Sequence, residues 1–444
     1  MGVSSGRRSP GVRKERPRKN GEANKVAPED RAAHEWYRFV LSYPPHLVRD
    51  YLTRFDLGRK HAVLDPFCGT GTTLVECKKL GIGSVGIEAN PMAHFASETK
   101  TNWSVSPESL LKHGELIANE ADAALEREGF SDIPFWMTTR AARKLRSLPA
   151  EKMKLLLTNS ISPLPLHKTL VLLDCLAAEK RKAVHPHLQL ALAKALVFSI
   201  SNLHFGPEVG VSKPKEDCPV IDTWLREVRT MAADLKELQD RADVPAKVHH
   251  ADARQLANVV KRRSISGVIT SPPYPNEKDY TRTTRLESVL LGLINDKQEL
   301  RAFKKTLVRS NTRSVYKEDT DDTLVASNAR IQKIARDIET RRLELGKTSG
   351  FERMYHRVAK LYFGGMARHF AEMRQVLVPG AMLAYVVGDQ ASYLRVMIRT
   401  GQLLAEIAAE LGYEVVGIDL FRTRFSTATR EQLREEVVVL KWPG

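Results

Sequence analysis

A glycine-rich segment at 65–73 combines residue types that could hold a small ligand. Its sequence, DPFCGTGTT, follows an apolar run that predicts a short buried strand, and it precedes a stretch with helical periodicity. Gly69 and Gly71 allow the backbone to turn tightly and to approach a ligand without a clash from a Cβ atom. The N-terminus of the following helix favours the negatively charged end of a ligand. Glu88, at the end of the next predicted strand, can accept hydrogen bonds from both hydroxyl groups of a ribose.

A second segment places polar acceptors and an aromatic ring after another predicted strand. The sequence TSPPY at 270–274 follows the strand Gly267–Ile269. Two consecutive prolines fix the backbone, so the neighbouring oxygen atoms are held in one direction. The ring of Tyr274 offers a flat face for stacking. Because SPPY alone occurs by chance in many proteins, its significance comes from its combination with the glycine-rich segment.

Both segments resemble motifs of the DNA amino-methyltransferases. DPFCGTGTT resembles motif I, GIEANP at 86–91 resembles motif II, and SPPY at 271–274 resembles motif IV. The resemblance implies that the cofactor is S-adenosylmethionine. It also implies that Asp252 contacts the cofactor's adenine and that Pro44, in a sequence similar to motif X, helps to hold its methionine end. The residues implied for cofactor binding are Pro44, Asp65, Phe67, Gly69, Gly71, Thr72, Glu88 and Asp252.

The same resemblance assigns catalysis to Ser271, Pro272, Pro273 and Tyr274. An exocyclic amine is a weak nucleophile, because its lone pair is delocalised into the base. Hydrogen bonds from its two N–H groups to Ser271 and to the carbonyl of Pro272 favour a tetrahedral nitrogen, whose lone pair can attack a sulfonium methyl group in line. Tyr274 provides a face on which a base rotated out of duplex DNA can stack.

The first residue of the tetrapeptide bears on the choice of base. Within the family that the chain resembles, Ser at this position is typical of N4-cytosine enzymes, whereas Asp or Asn is more typical of N6-adenine enzymes. Cytosine N4 is therefore expected, with adenine N6 as the alternative because both amines need similar acceptors. Methylation of cytosine carbon 5 requires a cysteine thiolate, usually after proline, and the sequence contains no Pro-Cys pair.

Two other classes of protein are alternatives. RNA amino-methyltransferases, for instance those acting on guanine N2 of tRNA, have a similar glycine loop. They more often carry DPPY or NPPY, and an RNA-binding module usually precedes the catalytic domain. A DNA-binding protein that kept the fold without activity is the second alternative, and the intact motifs at both segments disfavour it.

The composition favours a polyanionic partner. The net charge is +16 and the pI is near 9.6, which suits nucleic acid, and DNA is the expected partner. No apolar run is long enough to span a bilayer, and the basic N-terminal segment lacks the apolar core of a secretory signal. Four cysteines form no CxxC pair, so no metal site or disulfide framework is expected. A cytoplasmic location in a prokaryotic cell, associated with DNA, is the expectation.

The surrounding elements predict an α/β fold. A strand, the glycine loop, a helix at 72–80 and a strand at 84–87 form a βαβ unit, which indicates a Rossmann-like methyltransferase sheet. Strand patterns resume near 247–249, 267–270 and 382–387, and a helix is predicted at about 392–411. The stretch between Pro107 and Asp240 has mainly helical periodicity, so it predicts a large helical insertion in the sheet.

These patterns divide the chain into a tail, a catalytic domain and an insertion. Residues 1–33 are expected to be a disordered basic tail, 34–103 and 246–444 the methyltransferase catalytic domain, and 104–245 the helical insertion. An insertion that leaves after Glu88 and returns before Asp252 is expected to start from the carboxyl edge of the sheet, so we expect it to select the DNA site. The charged stretch 296–350, interpreted as a mobile excursion or helical arm, is the alternative.

Overall fold

The computed structural model describes residues 25–39, 42–133, 144–205, 209–276, 278–426 and 430–444. Most of the predicted disordered tail, residues 1–24, lies outside the described residues. The strands are β1 (Ala62–Asp65), β2 (Gly83–Glu88), β3 (Leu203–Phe205), β4 (Val209–Val211), β5 (Ala246–His250), β6 (Ile265–Thr270), β7 (Leu377–Gly388), β8 (Glu414–Ser426) and β9 (Glu431–Lys441).

The helices surround this sheet and fill the chain between its strands. They are α1 (Arg31–His34), α2 (Pro45–Arg54), α3 (Thr72–Lys79), α4 (Pro91–Thr101), α5 (Pro107–Glu128), α6 (Ala150–Met153), α7 (Pro163–Ala178), α8 (His185–Ala195), α9 (Ile221–Leu238), α10 (Tyr280–Thr283), α11 (Arg285–Leu290), α12 (Lys297–Lys305), α13 (Ala329–Glu344), α14 (Tyr355–Met373) and α15 (Thr400–Glu410). No helix among the described residues is long and apolar enough to cross a membrane.

Seven strands form one sheet in the order β5-β2-β1-β6-β7-β9-β8. The first five are parallel, whereas β9 is antiparallel to both of its neighbours. The sheet grows outward in both directions from β1 and β6, and ligands bind at the carboxyl ends of the strands beside such a switch point. The predicted α/β, Rossmann-like methyltransferase fold with a large, mainly helical insertion is confirmed.

The insertion packs against the helices that precede it in the chain, including α1 and α4. It contains α5 to α9 and the small hairpin β3–β4, which the sequence pattern did not predict. Its buried residues, including Ile117 and Trp224, form one continuous apolar cluster with Trp36, Met92 and Trp103. The insertion therefore shares a core with residues before it in the chain. The proposed domain boundaries remain a prediction.

The insertion joins the sheet at the amino ends of its strands, so the expectation that it starts from the carboxyl edge is wrong. The Lys78 ammonium, near the end of α3, donates a hydrogen bond to the Ala242 carbonyl at 2.8 Å, and the Ser84 N–H donates to the Pro245 carbonyl at 3.0 Å. The reason is α4, whose eleven residues carry the chain about 16 Å back from the carboxyl edge before the insertion begins. Further along the chain the insertion contacts α11, because the Arg285 guanidinium donates to the Leu155 carbonyl at 3.3 Å.

The charged stretch 296–350 is folded onto the sheet domain. It forms α12, α13 and short 3₁₀ turns, and the buried residues Ile331 and Ile338 pack with the cluster around α14. The backbone of Asp321 lies so close to α14 that a Cβ atom at Gly364 would be 1.8 Å from the Asp321 oxygen. Only glycine at position 364 permits this close approach. The high charge of the segment 296–350 had instead suggested an excursion away from the sheet domain.

The helix predicted at 392–411 begins only at Thr400. Leu394 and Arg395 have φ angles of +55° and +66°, so the chain before α15 is not helical. Gln390 and Ile398 instead form an isolated antiparallel bridge. This turn returns the chain across the end of β7.

Candidate cofactor and target-base site

The glycine loop connects β1 to α3 at the carboxyl edge of the sheet. Asp65 ends β1, and α3 begins at Thr72, whose side chain is buried. Gly69 and Gly71 have φ angles of +51° and +85°, which L side chains rarely adopt. At Gly71 a Cβ atom would also lie 3.0 Å from the Ser97 Cβ, so both the backbone conformation and the available space require glycine.

The Glu88 carboxylate is fixed beside this loop. Its Oε2 accepts a hydrogen bond from the Gly69 N–H at 2.8 Å, and its Oε1 accepts one from the Asn90 N–H at 2.7 Å. Burial raises the pKa of Glu88 to about 7, and the nearby charge of Asp65 adds to the effect. Each oxygen retains a lone pair for a hydroxyl donor. The carboxylate is thus oriented at the end of β2, with one face partly exposed.

The buried Asp65 carboxylate links three segments of the site. Its Oδ1 accepts hydrogen bonds from the Thr270 hydroxyl at 2.6 Å and from the Phe67 N–H at 3.2 Å. Its Oδ2 accepts one from the Tyr43 hydroxyl at 2.7 Å. Burial raises the pKa of Asp65, and the hydrogen bonds oppose that shift. Asp65 therefore connects the glycine loop to the end of β6 and to the segment that carries Pro44, the N-cap residue of α2.

The tetrapeptide begins one residue after β6. The Ser271 hydroxyl donates a hydrogen bond to the Val386 carbonyl on the neighbouring strand β7, at 3.0 Å. Because its proton is used there, the Ser271 oxygen is left with lone pairs that can accept from a ligand. Pro272 is buried and Pro273 is partly exposed. No backbone N–H among the described residues donates to the Pro272 carbonyl.

The ring of Tyr274 lies against the end of β7. A Cβ atom placed on Gly388 would be 3.0 Å from the Tyr274 Cε2 and 3.4 Å from the Glu435 Cγ. Burial raises the pKa of the Tyr274 hydroxyl, and the negative charge of Glu435 raises it further, so the ring is neutral. The side chain remains partly exposed, which leaves room for a contact on its free side.

Asp252 is held by an arginine that the sequence analysis did not identify. The Arg254 guanidinium donates from Nε to Oδ1 at 3.0 Å and from Nη2 to Oδ2 at 2.7 Å, and the Arg254 backbone N–H donates to Oδ1 at 2.8 Å. The same guanidinium contacts the Asp321 Oδ2 at 2.8 Å, and Arg368 contacts the Asp321 Oδ1 at 2.7 Å. This network fixes the orientation of the Asp252 carboxylate. The role of Asp252 toward adenine stays a prediction.

A second group that the sequence analysis missed supports Phe67. The buried His369 ring lies 4.9 Å from the Phe67 ring, centroid to centroid. Its Nδ1 is 2.8 Å from the Ala253 carbonyl and its Nε2 is 2.7 Å from the Tyr385 hydroxyl. Nδ1 therefore carries the proton and Nε2 accepts. Burial lowers the pKa of His369 to about 4, so the ring is neutral and fixed.

The structure brings the two sequence segments to one edge of the sheet. The residues that lie at the carboxyl ends of β1, β2, β5 and β6, or beside them, are Pro44, Asp65, Phe67, Gly69, Gly71, Thr72, Glu88, Asp252, Ser271, Pro272, Pro273 and Tyr274. The buried Thr70 hydroxyl in the loop has no hydrogen-bond partner among the described residues. No group of His, Cys, Asp and Glu side chains within the described parts of the chain could hold a metal ion. An oriented carboxylate, a glycine loop and an unpartnered hydroxyl fit a nucleoside cofactor better than a metal.

The chain is similar to known DNA methyltransferases. A family model described as DNA methylase matches residues 20–98, which include the glycine loop and Glu88. The Type II methyltransferase M.BsoBI of Geobacillus stearothermophilus is 24% identical over 94% of this chain and 85% of its own length. M.AvaI of Nostoc sp., also a Type II methyltransferase, is 24% identical over 95% of this chain and 88% of its own. The family model and these relatives support the DNA amino-methyltransferase family, which the sequence motifs resemble.

Two further similarities are narrower. M.MjaII of Methanocaldococcus jannaschii, a Type II methyltransferase, is 44% identical over 68 residues, which cover 15% of this chain and 12% of that protein. The solved structure of TrmN from Thermus thermophilus is 12% identical, covers 90% of this chain and 48% of that one, and has a TM-score of 0.26, too low to support an argument. As in its family, the methyl donor of this methyltransferase is S-adenosylmethionine, the cofactor expected from the sequence.

Proposed function

We propose that this methyltransferase methylates the exocyclic N4 of cytosine at specific sites in duplex DNA. The observation that carries the proposal is the hydrogen bond from the Ser271 hydroxyl to the Val386 carbonyl. It turns the serine oxygen into an acceptor at the position where the target amine must lose its planarity. Its relatives are named Type II methyltransferases, which supports site-specific methylation in restriction–modification.

The chain's own residues can prepare the amine without a strong general base. When bound, S-adenosylmethionine supplies an electrophilic methyl group. The Ser271 oxygen and the Pro272 carbonyl accept hydrogen bonds from the two N–H groups of the amine, which concentrates the nitrogen lone pair on one side. Tyr274 stacks on the base after it leaves the duplex. The amine proton becomes acidic as the new bond forms, so weak acceptors suffice to remove it.

Asp65 links the cofactor loop to the catalytic tetrapeptide. It accepts hydrogen bonds from Thr270, next to the tetrapeptide, and from the Phe67 N–H in the cofactor loop. A displacement of one segment therefore moves the other. Such a link keeps donor and acceptor in register, and misplacement by about 1 Å can cost on the order of 100-fold in rate.

A group of cations beside the site favours a nucleic-acid substrate. Arg301, Lys305 and Arg309 surround the Tyr316 ring, each between 5.4 and 5.5 Å from its centroid. Arg309 pairs with Asp319, whereas neither Arg301 nor Lys305 has a carboxylate partner among the residues that the structure describes. Both of these are exposed, so their charges are available to phosphates.

This cation group adjoins the catalytic segment. Lys304 contacts the Asp279 carboxylate at 3.2 Å, five residues after Tyr274, and the Asn311 amide donates to the Lys278 carbonyl at 3.1 Å. On the other side, the Arg254 guanidinium donates to the Lys305 carbonyl at 3.1 Å. Phosphates bound by this surface would flank the target base.

The test is mass spectrometry of nucleosides from DNA treated with the purified protein and isotope-labelled S-adenosylmethionine. The proposal expects the label in N4-methylcytosine. Label in N6-methyladenine would overturn the choice of base but keep the family and mechanism. Label only in RNA, run as a parallel substrate, would overturn the choice of nucleic acid. Tyr274→Ala, assayed beside the unaltered protein, controls for a contaminating activity.

A further inference from the structure

The hairpin of β8 and β9 extends past the strand that supports it. β9 pairs with β7 as far as Glu435, whereas β8 and β9 continue to pair with each other to Ser426 and Glu431. Because β7 runs parallel to β6, this extension lies beyond the carboxyl ends of the strands, on the side of the candidate site. We refer to residues 422–426 and 430–435 as the ribbon.

The base of the ribbon touches the catalytic ring. Glu435 lies beside Gly388 and Tyr274, since one Cβ atom on Gly388 would contact both side chains. Arg422, opposite Glu435 in the ladder, forms an ion pair with it. The base of the ribbon is therefore adjacent to the Tyr274 ring, on which the target base is proposed to stack.

The outer part of the ribbon exposes groups that packing does not explain. The Phe425 side chain is 60% exposed, and Gln432, its partner in the ladder, is also exposed. Arg424 and Arg430 are exposed, and neither forms an ion pair within the described residues. Exposed strands at a sheet edge usually carry features that prevent pairing with other chains, and charge is the commonest of these. Charge alone would serve that purpose, so it does not explain the exposed aromatic ring of Phe425.

The dimensions and the charge of the ribbon fit one kind of partner. The major groove of B-DNA is about 12 Å wide and accepts a two-stranded ribbon. Exposed arginines suit phosphates, and an apolar ring can contact thymine methyl groups or insert between base steps. The net charge of +16 attracts the same partner over the whole molecule.

We propose that the ribbon docks on duplex DNA beside the target base. Arg424 and Arg430 contact phosphates, and Phe425 enters the groove. This inference rests on the proposed function, because it takes the base bound at Tyr274 as its reference point. It adds a contact element that belongs neither to the helical insertion nor to the charged stretch 296–350.

Binding measurements with ribbon variants test this inference. Fluorescence anisotropy gives Kd at several salt concentrations for a duplex that contains the sequence methylated by the protein and for a duplex that lacks it. The double variant Arg424→Ala, Arg430→Ala should raise Kd for both duplexes and lower the slope of log Kd against log salt by about 0.9 for each phosphate that is no longer neutralised. Phe425→Ala should raise Kd for the site duplex more than for the other. Matched controls at the opposite edge are Lys261→Ala with Arg262→Ala, and Leu80→Ala, all exposed in the structure.

The outcomes separate the ribbon from the proposed function. Cofactor affinity measured by calorimetry, unchanged in the ribbon variants, shows that they are folded. Ribbon variants that keep the Kd and the salt slope of the unaltered protein, while that protein methylates DNA, would overturn the inference alone. An unaltered protein that transfers no methyl group to DNA would overturn the proposed function, and the Kd comparison would still decide whether the ribbon contacts duplex.

Discussion

At the scale of single residues, the site depends on side chains whose polar atoms are already partly used. The Ser271 hydroxyl donates a hydrogen bond to a carbonyl of the neighbouring strand, and Glu88 accepts hydrogen bonds from two backbone N–H groups. These bonds fix the direction of the remaining lone pairs before any ligand arrives. A ligand then meets acceptors that need little reorganisation, which is the basis of electrostatic preorganisation.

Glu88 predicts a pH dependence of cofactor affinity. With a pKa of about 7, raised by burial, the carboxyl group becomes protonated as the pH falls from 8 to 6 and loses acceptor capacity. We expect the affinity for S-adenosylmethionine to fall over this range, approaching about tenfold per pH unit at its acid end. Isothermal titration calorimetry at several pH values measures it. Glu88→Gln should bind weakly at every pH, and a Gln variant with the slope of the unaltered protein would show that another group titrates.

Tyr274 predicts a loss in turnover without a loss of cofactor. Tyr274→Ala removes a stacking surface worth about 1–3 kcal/mol per base, so kcat/KM should fall about 5- to 150-fold. Tyr274→Phe keeps the ring and should retain most of the activity. Calorimetry should give the same S-adenosylmethionine affinity for all three proteins. Full activity of the Ala variant on duplex substrate would remove the stacking role.

At the scale of elements, contacts between distant segments hold the site together. Arg254 follows β5, whereas its second partner, Asp321, lies 67 residues further along the chain. The sequence predicted the strands and the helix of the βαβ unit to within about two residues, because apolar periodicity and glycine turns are local signals. The sequence could not predict the contact between Arg254 and Asp321 or the position of His369, because these residues do not belong to a local pattern.

The Arg254 network predicts separable effects on stability and binding. Arg254→Met leaves Asp252 and Asp321 without their buried partner, so stability should fall by about 3–5 kcal/mol, and the misoriented Asp252 should weaken cofactor binding. Asp321→Asn should lower Tm but keep most of the affinity, because Arg254 still holds Asp252. Thermal unfolding with and without S-adenosylmethionine distinguishes the two variants. If Arg254→Met binds the cofactor normally, Asp252 does not contact it.

At the scale of the whole molecule, the question is which surface meets DNA. The sequence led to the helical insertion because its position between Glu88 and Asp252 was taken to be the carboxyl edge. The structure attaches it at the amino ends, beside Lys78, while α12 lies next to the segment that follows the proposed catalytic tetrapeptide. The position of the insertion in the sequence could not reveal this attachment, because α4 carries the chain back to the amino edge of the sheet between Glu88 and the start of the insertion.

The cation group around Tyr316 and the helical insertion should affect DNA binding in different ways. Replacing Arg301 and Lys305 with Ala should weaken binding to all sequences equally and lower the salt slope by about 0.9 for each phosphate contact removed, because phosphate contacts carry no sequence information. If the insertion reads bases, we expect polar residues of its loop at 202–210, including His204 and Glu208, to do so. His204 is exposed on the β3–β4 hairpin, and its substitution should then change which sequences are methylated, whereas Glu208 lies outside the described residues. Methylome sequencing of cells expressing His204→Ala tests this. An unchanged target, together with a shifted target on substitution of exposed Arg313 or Lys317, would place recognition in 296–350.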